Sequence, residues 1–308
     1  MLLAVISLLV GLSVLVKAGD VFVEAAAQLA RSLKVSSVVI GAIVLGFGTS
    51  APELVVSTIA AARGNAALGV GNIVGSNVAN LSLVLGVAAL VTPIALSASV
   101  IRRQAPLSIA AVAAFALVVS DGELNRLEGA ILLVLLIGAM VILIKTPDEV
   151  AVSETNSDKS TTRSLLMSLL GLAGVLLGAQ LAVSGATKLA ESWGLSGGFI
   201  GFSLVALGTS LPELVTAVAA ARKNEAGLIV GNLFGSNLFN GLAGGAAMGL
   251  ANAGQIGDAK LTTGALLAML GAVVWAYARG ALKKRIGKSD ALILLGIYVA
   301  AMVYLAAG

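Results

Sequence analysis

A stretch of forty residues occurs twice in this chain, and the two copies align without a gap at an offset of 160. The first copy, residues 41–80, contains GFGTSAPELVVSTIAA followed by GVGNIVGSNVAN. The second, residues 201–240, contains ALGTSLPELVTAVAA followed by IVGNLFGSNLFN. A repeat of this length restricts the fold to two related structural units. Each copy also sets one carboxylate, Glu53 or Glu213, inside an otherwise apolar run.

The setting of those carboxylates follows from composition. Of the 308 residues, 58% are hydrophobic and 11% charged, against about 25% charged in soluble domains. A chain this poor in polar surface is expected to be an all-α polytopic membrane protein. Cysteine and histidine are absent, which removes disulfides, thiolate catalysis and imidazole ligands together. The net charge of +4 comes from short basic clusters between apolar segments. Membrane topology accounts for them, and no nucleic-acid partner is implied. The N-terminal run MLLAVISLLVGLSVLV lacks a basic leader, so it is read as a first transmembrane segment and not a cleavable signal.

Ten apolar segments can be drawn, most of them about 20 residues or longer. They run over 2–33, 35–62, 66–90, 105–119, 127–144, 164–190, 198–221, 226–251, 261–279 and 291–307. The polar linker KTPDEVAVSETNSDKSTTR at 145–163 separates five segments from five. An odd number of spans per half turns one half upside down relative to the other, so two inverted five-helix repeats are expected. Their bounds are 1–144, with its repeat core at 41–80, and 164–308, with its core at 201–240. Weak similarity reaches the first helix of each half, where Gly11 matches Gly171. With the linker placed in the cytoplasm, the cytoplasmic loops hold 14 Lys and Arg against 4 outside, leaving Lys17 aside within the first segment. That asymmetry predicts a multi-pass plasma-membrane protein with a cytoplasmic linker and both termini outside.

A carboxylate at membrane depth costs at least about 2.5 kcal/mol and should face a cavity or a partner. No basic residue lies at matching depth in either repeat, so the missing counter-charge is most simply a mobile cation. Pro52 and Pro212 precede the glutamates and should kink their helices by releasing the carbonyls of Gly48 and Gly208. Carbonyls freed at membrane depth are tolerated where they line a cavity, and they suit hard cations. Thr49 and Glu53 share a helix face, as do Thr209 and Glu213; Ser50 and Ser210 add hydroxyls at the kink. Asn72, Ser76 and Asn80 form one polar stripe, and Asn232, Ser236 and Asn240 a second. Two kinked and two striped helices would make an oxygen cage suited to Na⁺ or Ca²⁺. The stripes could instead be interhelical glue, and the glycines packing devices. Asp20 and Glu24 are expected at a pore mouth or interface, with Lys17 as a partner. Asp121, Glu123 and Glu128 are expected in a turn on the outer face.

At GTSAPE (48–53) with GSNVAN (75–80), and GTSLPE (208–213) with GSNLFN (235–240), the chain resembles the sodium/calcium exchanger family of the cation/calcium antiporter superfamily. The resemblance implies a secondary antiporter that exchanges Na⁺ for Ca²⁺ at a midplane site by alternating access. It is not an enzyme on this reading and needs no cofactor; Ca²⁺ and Na⁺ are its cargo. The resemblance makes Glu53 and Glu213 the shared Ca²⁺ and Na⁺ carboxylates. Thr49, Ser50, Thr209 and Ser210 become hydroxyl and carbonyl ligands, and Ser76 and Ser236 become Na⁺ ligands. Gly46 and Ala206 contribute carbonyls, and Asn80 and Asn240 complete the centre. Some relatives, including the K⁺-dependent branch, carry an acid where this chain has Asn240. With Asn at both places the site charge is −2, which balances one Ca²⁺ or two Na⁺. A Ca²⁺/H⁺ exchanger on the same scaffold is the nearest alternative, and a cation channel with the same ring of oxygens a further one. A monomer would suffice for any of the three, and the bilayer is the only other partner implied.

Overall fold

The computed structural model describes residues 1–145, 160–193, 206–252, 254–256 and 261–306. The expected linker at 145–163 therefore lies largely outside the described residues, as does the expected start of the seventh segment at 198–205.

The described chain is helical almost throughout. In order, α1 spans Leu2–Leu33, α2 Ser37–Ile40, α3 Phe47–Thr49, α4 Ala51–Ala62, α5 Ala66–Ala79, α6 Leu85–Val91, α7 Ala105–Val119 and α8 Arg126–Lys145. After the linker come α9 Thr161–Ser192, α10 Ala206–Thr209, α11 Leu211–Arg222, α12 Ala226–Phe239, α13 Gly245–Ala251, α14 Leu266–Lys283 and α15 Lys288–Ala306. Short π-helical turns at Gly41–Gly46, Asn80–Val84, Val100–Gln104, Asn240–Gly244 and Leu261–Ala265 join pieces of longer helices. Among the described residues, six helices are long and apolar enough to cross a membrane, or seven if the pair Ser37–Thr49 and Ala51–Ala62, bent by 45°, counts as one span.

Local signals set the helix ends. Ser36 caps α2 through its hydroxyl, which accepts from Val39 N at 3.3 Å. Asn65 does the same for α5, accepting from Leu68 N at 3.0 Å, after a turn that Gly64 makes at φ +80°. At the start of α8, Asn125 N donates to Glu128 and Glu128 N donates to the Asn125 side chain, at 2.8 and 3.0 Å. This reciprocal pair satisfies two amide groups that a helix start leaves open. Asp121 accepts from Glu123 N in the preceding turn; of the acidic trio expected in a turn only Asp121 lies in one, Glu123 being in a short strand and Glu128 in the first turn of α8.

The chain buries its small residues at helix crossings. In the first crossing, α1 lies along α9, and each helix packs mainly against the other. Glycine makes the approach possible: a Cβ on Gly11 would sit 2.4 Å from Ala182 N, and one on Gly171 would sit 2.7 Å from Phe22 Cα. The two contacts are the same contact shifted by 160 in both partners. The second crossing is the centre of the molecule. There α12 is buried along its whole length from Leu228 to Phe239, with the Gly41–Gly46 turn seated on it. A Cβ on Gly231 would meet Val38 O at 2.3 Å, and one on Gly235 would meet Ala42 Cα at 2.6 Å. The outer faces carry apolar side chains, such as Leu127, Val134 and Ile144 on α8. An apolar exterior around a core with buried polar groups is the arrangement a bilayer demands.

Two very short sheets clasp the loops. β1 (Ile94–Ala95) pairs antiparallel with β4 (Arg285–Ile286), and β2 (Glu123–Leu124) pairs with β3 (Gly254–Gln255). Each clasp joins a loop before the linker to a loop after it, so the halves of the chain are tied together at two places.

Candidate cation site

The site forms where α3, α4 and α5 from the first half meet α10, α11 and α12 from the second. The helix containing Glu53 breaks at Ser50 (φ −82°, ψ 0°), and Pro52 stands in the first turn of α4. The second copy breaks at Ser210 (φ −89°, ψ 3°), with Pro212 in the first turn of α11. Proline is tolerated there because a first-turn N–H has no helical acceptor in any case. The kink expected from the sequence is present. However, the Gly48 carbonyl accepts a backbone N–H at the Ser50 cap, so it is not the bare group expected.

Both glutamates start a helix and point inward, 1% and 0% exposed. Among the described residues no basic side chain pairs with either. The Ser50 hydroxyl donates to Glu213 Oε1 at 3.3 Å. Ser76 faces Glu53, and Thr49 and Ser236 face Glu213. Even so, both Glu53 carboxylate oxygens and Glu213 Oε2 have no hydrogen-bond partner, nor do Ser210 Oγ and Asn80 Oδ1. Leaving buried polar atoms unpaired costs about 1–3 kcal/mol each, more when charged. Three of these unpaired atoms are carboxylate oxygens, so the site holds more negative charge than its hydroxyls and the likewise unpaired Asn240 Nδ2 balance. Among the described residues no cluster of three or more Asp, Glu, His or Cys is present, so the charged part of the cage is the glutamate pair.

The other residues singled out from the sequence fall as follows. Thr49, Ser50, Ser76, Asn80, Ser210, Ser236 and Asn240 are buried, Gly46 likewise, and Thr209 half-buried. The Ser236 hydroxyl donates to the Gly46 carbonyl at 3.2 Å, which joins two expected ligands across the halves. Thr49 Oγ1 lies 2.8 Å from Leu45 O and 3.2 Å from Asn232 Oδ1, either of which can take its proton. Ala206 opens α10. Asn80 and Asn240 each begin a π-turn, a local widening that recurs at functional sites.

Asn72 and Asn232 are tied to the helices that carry the glutamates. Asn72 Nδ2 donates to the Glu53 backbone carbonyl and to Ser57 Oγ, at 3.2 and 2.9 Å. Asn232 Nδ2 donates to Thr216 Oγ1 at 3.1 Å. Ser57 and Thr216 were not anticipated, although each is a hydroxyl one turn beyond a glutamate. Asn77 and Asn237 were also missed. Asn237 Nδ2 donates to the Asn77 carbonyl, and Asn80 Nδ2 donates to Asn237 Oδ1, at 3.1 and 3.0 Å. These bonds tie α5 to α12 beside the carboxylates.

The Lys17 pairing expected for Asp20 and Glu24 is corrected. Arg222 approaches Asp20 at 3.9 Å and Lys223 approaches Glu24 at 3.4 Å. Arg31 closes the same surface with Glu225 at 3.5 Å. The acids of α1 thus meet bases at the end of α11, a helix far away in sequence.

Known proteins share both the chain and the arrangement. The family described as sodium/calcium exchanger protein matches residues 3–145 and, separately, 163–307. The putative antiporter CaxA of Alkalimonas amylolytica is 40% identical, covering 79% of each chain. An uncharacterized membrane protein of Methanocaldococcus jannaschii, MJ0091, is 34% identical over 97% of each. A solved structure of the sodium-calcium exchanger NCX_Mj superposes with a TM-score of 0.86 at 32% identity, covering 98% of each chain. Antiporters and exchangers, not enzymes, surround the sequence. With two buried glutamates, a repeat at 160 residues and a match to both halves, this multi-pass membrane protein belongs to the sodium/calcium exchanger family.

Proposed function

We propose that the protein exchanges Na⁺ for Ca²⁺ across the membrane by alternating access at the Glu53–Glu213 centre. The observation that carries this reading is the set of three unpaired, buried carboxylate oxygens of Glu53 and Glu213, which have no basic partner among the described residues. Hard oxygen donors around a −2 charge match one Ca²⁺ or two Na⁺. Thr49, Thr209, Ser50, Ser210, Ser76, Ser236, Asn80, Asn240 and the carbonyls of Gly46 and Ala206 supply the neutral remainder. Because Ca²⁺ and Na⁺ would use the same oxygens, occupancy by one excludes the other, and exchange follows without a chemical step or a cofactor.

The scaffold is ten transmembrane helices in two inverted five-helix repeats, 1–144 and 164–308, joined by a cytoplasmic linker at 145–163, with both termini outside the plasma membrane. Its support is the separate family match to each half and the recurrence of element bounds. The π-turns at Asn80–Val84 and Asn240–Gly244 and the breaks at Ser50 and Ser210 are 160 apart. In this orientation the Gly41–Gly46 turn lies in the cytoplasmic half of its span. Its glycine-to-glycine seat on α12 closes that side of the centre. The α1–α9 pair packs mainly on itself, so it can slide over the rest as one body and open the opposite side.

A second reading has one observation in its favour. Carboxylates without a fixed counter-charge can be neutralised by protons as well as by Na⁺, which would give Ca²⁺/H⁺ exchange. Ca²⁺ uptake into proteoliposomes, driven in turn by Na⁺, K⁺ and pH gradients, decides between them. Uptake that needs internal Na⁺ supports the proposal, uptake that follows the pH gradient supports the second reading, and uptake with no counter-ion gradient would make the protein a channel.

A further inference from the structure

The turn between α14 and α15 holds an open cavity, rimmed by charged side chains, that uses none of the residues of the cation site. It has a volume of about 850 Å³ and is lined by Lys283, Arg285, Lys288, Ser289 and Asp290, with Pro93 and Gly287 beside them. Its base is the carboxylate of Asp290, only 2% exposed. That carboxylate is fully occupied. Oδ1 accepts from Arg279 at 2.9 Å and from Lys283 at 3.5 Å, and Oδ2 accepts from Gly287 N at 3.2 Å. One anion therefore holds two cations in place, and Arg279 is further fixed over the Trp275 ring at 5.3 Å.

The remaining cations have nothing to hold. Among the described residues neither Arg285 nor Lys288 makes an ion pair, and both side chains are exposed. Counting Arg279, Lys283, Arg285 and Lys288 against Asp290 leaves the cluster at +3. The β1–β4 pairing holds Arg285 opposite Ala95, so the cavity rim is built by loops from both halves and is not a frayed helix end. Next to this rim the surface turns apolar: Leu282 is 79% exposed and Leu292 64%. Cations above exposed leucines at the ends of two apolar helices reproduce the polarity of a phospholipid, headgroup to acyl chain. A soluble anion would have use for the first feature and none for the second.

The geometry points to a binding site for the phosphate headgroup of an anionic membrane phospholipid, with Arg285, Lys288 and the Ser289 hydroxyl as its ligands and Asp290 as the residue that positions Lys283. Charge near an anionic membrane surface is favourable for each Lys or Arg placed there. A lipid held in the clasp would link the α14–α15 turn to the loop before Val100.

Native mass spectrometry of the purified full chain, titrated with phosphatidylglycerol or phosphatidylcholine, tests this. The wild-type protein is expected to prefer phosphatidylglycerol by about thirtyfold, the value for two cations. Arg285→Gln with Lys288→Gln should bring the two lipids within about threefold. Arg285→Lys with Lys288→Arg, which keeps the charge, should retain the preference. Equal affinity of the wild-type protein for both lipids, or a preference that survives the glutamine pair, would overturn the site. So would binding of inorganic phosphate as tight as that of phosphatidylglycerol, which would make it a free-anion site.

Discussion

Ser50, from the first copy of the repeat, donates its hydroxyl proton to the carboxylate of Glu213 in the second, 163 residues away. Neither copy therefore builds its half of the site alone. Glu213 is oriented by the first half, and the Gly46 carbonyl of the first half is engaged by Ser236 of the second. A cation bound at the proposed centre would touch groups on both halves, so its departure would be linked to any relative movement of the halves.

Glu53→Gln and Glu213→Gln keep shape and remove one charge each. Losing one member of a buried charge interaction costs about 3–5 kcal/mol, so Ca²⁺ affinity should fall by a hundredfold or more on that scale. Ca²⁺-dependent thermal stabilisation provides the readout. Ca²⁺ should raise the unfolding temperature of the wild-type protein and leave that of both variants unchanged. A variant that still exchanges Ca²⁺ at the wild-type rate in vesicles would remove that glutamate from the site.

Ser50→Ala removes a hydrogen bond to a charged acceptor, worth about 1.5–3 kcal/mol. The apparent affinity for the exchanged cation should drop by about tenfold or more. Ser57→Ala, which loses only the neutral bond from Asn72, should cost about fivefold or less. Comparing the two in the same flux assay separates lining from bracing.

Asn240→Asp takes the site from −2 to −3. A third monovalent cation then becomes electrically balanced, so the Na⁺:Ca²⁺ ratio should rise. The reversal potential of Ca²⁺ flux in proteoliposomes, measured against imposed Na⁺ gradients, reports the ratio. An unchanged ratio would place Asn240 outside the ion-binding set.

Gly231→Ala puts a methyl group 2.3 Å from the Val38 carbonyl, where neither backbone can yield. Overpacking of this kind costs about 1–3 kcal/mol and should lower the unfolding temperature by several degrees, roughly 2–4 °C per kcal/mol. Gly138→Ala, with open space around it, should leave the temperature unchanged or raise it slightly, alanine being the better helix former.

Much of the candidate site is legible in local pattern. Glu53 and Glu213 stand out because a carboxylate in an apolar run is expensive anywhere in a membrane. Pro52 announces the 45° bend because proline fits a helix in its first turn, so a new helix is expected to start beside it. Ser57, Thr216, Asn77 and Asn237 escaped notice because a hydroxyl or amide in a helix has no meaning until its neighbour is known. Asn237 matters through Asn80, which is 157 residues away. The partners of Asp20 and Glu24 were misassigned to Lys17 for the same reason: sequence proximity favoured a residue on the same helix, whereas the packing of α1 against α11 supplied Arg222 and Lys223.

Hydropathy, charge and the repeat at 160 were enough to specify a multi-pass helical membrane protein with two buried acids, since each depends on the energy of a residue in its own segment. Which groups meet was decided by tertiary structure. Helix crossings at Gly11, Gly171 and Gly231 choose the neighbours, and the strand clasps hold the loops of the two halves in register. Those choices also determine which oxygens find partners and which stay unpaired around Glu53 and Glu213. That outcome depends on the summed packing of both halves, a quantity that no single stretch of sequence contains.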